Sequence, residues 1–87
     1  MNGISTTILY SGVSFLVQTQ EGGSRAHFIE TLIYRRGKLV HSRKSSDTTL
    51  LDDPERDDRL KRLIRDQHQA VLDDVAEGRL DAPLLKS

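Results

Sequence analysis

Three side chains have the types that a metal or proton-transfer site uses: Glu30, His41 and His68. Imidazole ligates divalent metals and titrates near neutrality, and a carboxylate beside it can complete a ligand set or an acid–base pair. Residue alternation puts His41 mid-strand, and helical periodicity puts His68 in a core-facing stripe, so a fold can bring them near each other. Their spacing is not His-x-x-x-His or Glu-x-x-His. A hydrogen-bonded, partly buried histidine is the simpler reading, so neither a metal nor a cofactor is expected. Nucleophilic catalysis has no foothold, because the chain has no cysteine and no Gly-x-Ser-x-Gly. Glu21-Gly22-Gly23-Ser24 joins two strand patterns, so it lacks the helix N-terminus of a phosphate cradle. No enzymatic activity is expected.

A second group of residues offers charge. Arg35, Arg36 and Lys38 surround the tip Tyr34-Arg35-Arg36-Gly37-Lys38-Leu39, and Arg43 and Lys44 follow. Such cations can contact phosphates or a partner, and Tyr34 can stack on a base. The whole chain carries 13 basic and 13 acidic residues, which lacks the basic excess usual in nucleic-acid binders. The charges are segregated. Arg25 to Lys44 holds six cations against Glu30, and Asp47 to Asp58 holds six acids against Arg56. The two blocks can attract each other within or between chains, or stand as solvated surfaces screened by salt.

The elements that must position these groups are legible in the patterning. Ile4–Tyr10 is rich in β-branched residues, and Val13–Gln20 alternates Val13, Phe15 and Val17 against polar neighbours. Gly12 between them is either a turn or a bulge in one longer strand. Glycines 22 and 23 mark a second turn, with two loop lengths open. A two-residue loop groups Val13, Phe15 and Val17 with Phe28, Leu32 and Tyr34. A three-residue loop groups them with Ile29, Ile33 and Val40, because a one-residue slip flips a strand. Ala26–Arg35 and Lys38–Lys44 then form a hairpin about Arg36-Gly37. Its register opposes Tyr34 to Leu39, Ile33 to Val40, Leu32 to His41 and Glu30 to Arg43, the last pair being of opposite charge.

Ser45–Asp53 reads as a connector. Asp53-Pro54-Glu55 is a helix start, with Asp at the N-cap and Pro at the first helical position. Leu60, Leu63, Ile64, Val71, Leu72 and Val75 recur on one helical face, with Gln67 and His68 inside that stripe. Gly78 is the natural stop. The expected fold is α+β: a three- or four-stranded antiparallel β-meander packed against one long C-terminal α-helix. Residues 1–80 make a single domain and 81–87 a C-terminal tail.

Gln18–Glu21, Glu30–Ser46 and Gln67–Leu72 together resemble a small uncharacterised bacterial domain. The resemblance spans roughly residues 13–80. It implies a bacterial origin and a module sometimes carried inside larger proteins, and it supplies neither an activity nor site residues.

With 36% hydrophobic and 30% charged residues in 87, the core is modest. No apolar run approaches a membrane span and no secretory signal is visible, so no membrane partner and a cytoplasmic location are expected. One helix covers one sheet face, while both faces carry apolar residues. The expected function is therefore a non-enzymatic interaction module, self-associating as a homodimer through an uncovered sheet face or edge. Nucleic-acid binding through the basic hairpin is the alternative.

Overall fold

The computed structural model describes residues 3–22, 28–46 and 55–85. Four strands, β1 (Gly3–Tyr10), β2 (Val13–Glu21), β3 (Phe28–Arg35) and β4 (Lys38–Ser46), precede helices α1 (Arg56–Ala76) and α2 (Asp81–Leu85). The strands form one antiparallel sheet in the order β1-β2-β3-β4. The fold is α+β, with a four-stranded meander packed against the C-terminal helix.

Two tight turns set the outer hairpins. Ser11 and Gly12 have φ of 53° and 76°, and Arg36 and Gly37 have φ of 54° and 79°. Both central residues are left-handed, as a type I′ turn requires, and this turn matches the twist of the flanking strands. Gly12 is thus a turn, and Ile4–Tyr10 lies in a separate strand. The middle hairpin groups Val13, Phe15 and Val17 with Ile29 and Ile33, one of the two arrangements left open, with Val17 opposite Ile33. Its connection is longer than either expected loop, because the Gly22 amide still donates to the Phe28 carbonyl at 3.0 Å. A Cβ at Gly22 would overlap the Phe28 ring, so this crossing needs glycine.

The last hairpin departs from the expected register. Arg35 opposes Lys38 and Tyr34 opposes Leu39, but a β-bulge follows and His41 then opposes Ile33. The extra residue is Val40, which packs against the core. Beyond the bulge Glu30 faces Lys44, and Arg43 faces Thr31. The expected Glu30–Arg43 pair is therefore replaced, and its two members lie on opposite faces of the sheet. The loop length holds; the inserted residue moves the charges.

Helix α1 starts at Arg56 with Glu55 at the N-cap, two residues later than the Asp53-Pro54 signal, which lies outside the described residues. Its C-terminus is a Schellman motif. The Gly78 amide donates to Val75 O at 3.1 Å and the Arg79 amide to Asp74 O at 2.9 Å, with Gly78 at φ +80°. The chain then reverses into α2. Residues 81–85, expected as tail, are helical, and Leu80 and Leu84 are buried beside Phe15 and Ile33. The Tyr10 hydroxyl donates to Asp81 Oδ1 at 2.7 Å and pins this return to β1.

Both helices lie on one side of the sheet. Phe15, Val17 and Ile33 meet Val71, Val75, Leu80 and Leu84 in one apolar cluster, and Ile29 meets Leu60 and Ile64 in another. The expected helix contribution from Leu60, Ile64, Val71 and Val75 is buried in full. Ile64→Ala should cost about 2–4 kcal/mol, the loss typical of a buried aliphatic chain that leaves a cavity. Chemical denaturation measures this, and an unchanged midpoint would mean that α1 does not dock as described. Arg36→Asn should raise stability by roughly 0.5–1 kcal/mol, because Asn tolerates the left-handed region and Asn-Gly suits a type I′ turn.

Candidate functional site

Between the two apolar clusters runs a row of polar side chains. Alternation turns Thr6, Thr19 and Thr31 toward the helix along with Ile8, Val17 and Ile33, and α1 brings Gln67 and His68 down onto them. Thr19 Oγ1 lies 2.8 Å from Thr31 Oγ1 and 2.7 Å from His68 Nδ1. His68 Nε2 lies 2.8 Å from Thr6 Oγ1. Gln67 Nε2 donates to Thr31 Oγ1 at 2.9 Å and to the carbonyls of Ile29 and Arg43 at 3.3 and 3.4 Å.

Gln67 donates to Thr31, and a neutral imidazole completes the row in either tautomer: Thr31 donates to Thr19 and Thr19 to Nδ1 while Nε2–H donates to Thr6, or each of these three bonds runs the other way. His68 is 4% exposed, and burial holds its pKa below the usual histidine value, which keeps the ring neutral. Both ring nitrogens are engaged by hydroxyls, so neither offers a lone pair to a metal or a substrate. Among the described residues no carboxylate contributes to the ring's electrostatics. The geometry makes His68 a hydrogen-bonded core histidine.

The expected cluster of Glu30, His41 and His68 is not assembled. Glu30 is on the far face of the sheet, 3.7 Å from Lys44 Nζ. His68 meets β1 and β2, whereas His41 lies on β4 opposite Ile33. Burial, then the charge of Arg43, lowers the His41 pKa. Among the described residues no three His, Asp or Glu side chains converge in a manner suited to a metal.

The hairpin cations diverge as well. Arg43 Nη2 reaches Asp74 Oδ2 on α1 at 2.6 Å, and Asp74 also receives Arg79 at 2.7 Å. These two guanidinium groups hold the Asp74 carboxyl below the usual aspartate range. Arg35 Nη1 donates to Leu84 O at 3.4 Å. Lys44 sits on the opposite face with its Nζ 4.7 Å from the Phe28 ring centroid. Arg36 and Lys38 are exposed at the tip. The five cations thus fail to form one surface.

The far face of the sheet carries a different feature. Thr7, Leu16, Tyr34 and Leu39 form one cross-strand row, with Leu9 and Leu32 nearby. Leu9 is 76% exposed and Leu39 50%. A shallow depression of about 500 Å³ lies beside Leu16, Gln18 and Tyr34. A cleft of about 670 Å³ opens between Gly3 and Ile4 of β1 and the first half of α1. No helix of the described residues is long and apolar enough to cross a membrane. No protein-family model, curated protein or solved structure matches the chain.

Residue-level reading named Gln67 and His68 but missed the threonines. Their signal was positional: Thr6, Thr19 and Thr31 occupy inward places in three alternating strands. The row has a pH consequence. His68 binds protons less well folded than unfolded, so its contribution is complete above about pH 6.5, the unfolded value, and is lost as pH falls toward the depressed folded pKa. His41 acts with the same sign. Melting temperature should fall from pH 7.5 to pH 5, and His68→Leu should make that fall shallower while costing about 1–3 kcal/mol at neutral pH. An unaltered pH profile in the variant would assign the acid sensitivity elsewhere.

Proposed function

We propose that this chain is a non-enzymatic interaction module that forms a homodimer through the part of its sheet that the helices leave open. One observation carries this reading. Both helices stack on a single face, and Leu9, Leu16, Leu32, Tyr34 and Leu39 remain on the other. Neither the N-terminal apolar segment nor the C-terminal Leu84 covers that face. Ile4–Tyr10 lies within the sheet as part of β1, and Leu84 is buried on the helix side. Covering exposed apolar area is worth roughly 25 cal/mol per Å², and a twofold dimer needs only one self-complementary patch.

Nucleic-acid binding through the hairpin draws less support. Arg43, Lys44 and Arg35 are drawn to Asp74, Glu30 and the Leu84 carbonyl, which leaves Arg36 and Lys38 as the exposed pair at the tip. The buried state of His68 and the dispersal of Glu30 and His41 give catalysis no support. Sedimentation equilibrium at rising concentration tests the proposal. The mass should climb toward twice the chain mass as concentration rises. A monomer mass retained to high micromolar concentration would falsify self-association. A salt-sensitive shift with DNA or RNA would favour the alternative.

A further inference from the structure

The two edges of the sheet differ in a way that selects one of them. β4 is a guarded edge: it carries the Val40 bulge and the cations Lys38, Arg43 and Lys44. β1 has none of these devices. Gly-Ile-Ser-Thr-Thr-Ile-Leu-Tyr contains no charge and no proline, and it pairs with β2 without interruption over eight residues. An uncharged, regular edge is a template for another strand.

We infer that two copies of this chain join by antiparallel pairing of their β1 edges, making one continuous sheet across a twofold axis at Thr6. The inference rests on the self-association reading and places its contact at the β1 edge rather than across the open face. The type I′ turn makes Tyr10 and Val13 a hydrogen-bonded pair. Ile4, Thr6, Ile8 and Tyr10 therefore direct their backbone groups to β2. Gly3, Ser5, Thr7 and Leu9 direct theirs outward. When Thr6 opposes its own symmetry mate, Gly3 pairs with Leu9 of the other copy and Ser5 with Thr7. Every outward N–H and C=O from Gly3 to Leu9 then finds a partner. A slip of the axis to Ser5 or Thr7 leaves some unpaired.

The side chains suit the same register. On the helix side Ile4 of one copy meets Ile8 of the other at a close, non-hydrogen-bonded pair. Both isoleucines are half-exposed in the single chain, and each borders a different apolar cluster, so the contact extends both. On the far side Leu9 lies over Gly3, the largest side chain against the smallest. Charge agrees too. The cleft at the start of β1 is lined by Lys61, Arg62 and Arg65 against Asp58, while the end of β1 adjoins Asp81. Antiparallel pairing brings each basic start beside a partner's acidic end. Self-complementarity of backbone, volume and charge in one register points to a second copy as the occupant.

Ser5 and Thr7 are exposed and face away from the helices, so they can be changed with little effect on the single chain. S5K/T7K places like charges directly opposite at both Ser5–Thr7 contacts and should weaken dimerisation by roughly tenfold or more in sedimentation. S5K/T7E makes the same contacts oppositely charged and should restore wild-type affinity or better. Leu39→Lys, on the open face but away from the edge, should change affinity little. In the wild type, amide exchange at Ser5, Thr7 and Leu9 should slow as concentration rises. Equal weakening by S5K/T7K and S5K/T7E, dissociation by Leu39→Lys, or concentration-independent exchange at those amides would overturn edge pairing while leaving self-association intact. A wild-type chain that stays monomeric would remove both.

Discussion

The imidazole of His68, held between Thr6 and Thr19, is the contact on which the rest of the arrangement depends. The apolar stripe of α1 alone does not fix the helix along the sheet. Leu60 and Ile64 at one end and Val71 and Val75 at the other are similar aliphatic pairs, and a helix sliding by one turn could exchange one set of contacts for another. The polar row allows no such slide. Moving His68 away from Thr19 would leave buried hydroxyls and a ring nitrogen without partners, at a cost of about 1–3 kcal/mol for each lost group. No buried side-chain nitrogen or oxygen among the described residues lacks a hydrogen bond. The row thus gives up some apolar burial in the middle of the sheet and gains a single register. Ile64 is set over Ile29, and Val71 and Val75 over Phe15 and Ile33.

The register of α1 propagates into the bulge and the chain reversal. With α1 fixed, Asp74 stands where a cation from β4 can reach it. Without the extra residue at Val40, Arg43 would oppose Glu30 on the far face. The bulge turns Arg43 inward to Asp74, sends Lys44 outward to Glu30, and packs the partly buried Val40 against the core. Asp74 also accepts Arg79, the residue just past the Schellman glycine, so one carboxylate joins β4, the end of α1 and the start of the reversal. Tyr10 and Asp81 close the other side. The short α2 keeps its place through Leu84 and these polar ties, since five residues have little helical stability of their own.

Much of this was legible because it is local. Alternation in β2 and β3, the Arg36-Gly37 turn, the helical stripe and the Gly78 stop all express preferences within a few residues. The bulge was not legible, since nothing near Val40 demands it; its reason is Asp74, more than thirty residues later in the chain. The apparent complementarity of Glu30 and Arg43 pointed to the wrong register because Lys44, the next residue, offers the same charge. Residues 81–85 looked like a tail because Pro83 and the short span hid the i, i+4 spacing of Leu80 and Leu84. The histidines were visible as candidates for chemistry, but their roles depended on which threonines lay opposite. His68 fills a slot between two hydroxyls, and the bulge sets His41 on β4 opposite Ile33.

The polar row also explains why the sheet matters beyond the single chain. A domain of this length buries only about 60–65% of its unfolded surface. Here the inward face is divided into two small apolar clusters, so neither is a large core. All helical cover is committed to that face, and the described residues leave the other without any. Stability gained by association would then come from the same source as stability gained by folding: Ile4 and Ile8 stand half-exposed at the margin of the two clusters, where a second copy can finish what each chain begins. Under mass action such a contact would make the folded state firmer as the protein becomes more concentrated. The unguarded β1 edge and the divided core are, on this reading, two consequences of one choice, in which conformational uniqueness is secured by hydrogen bonds at the centre and apolar burial is left to be completed at the rim.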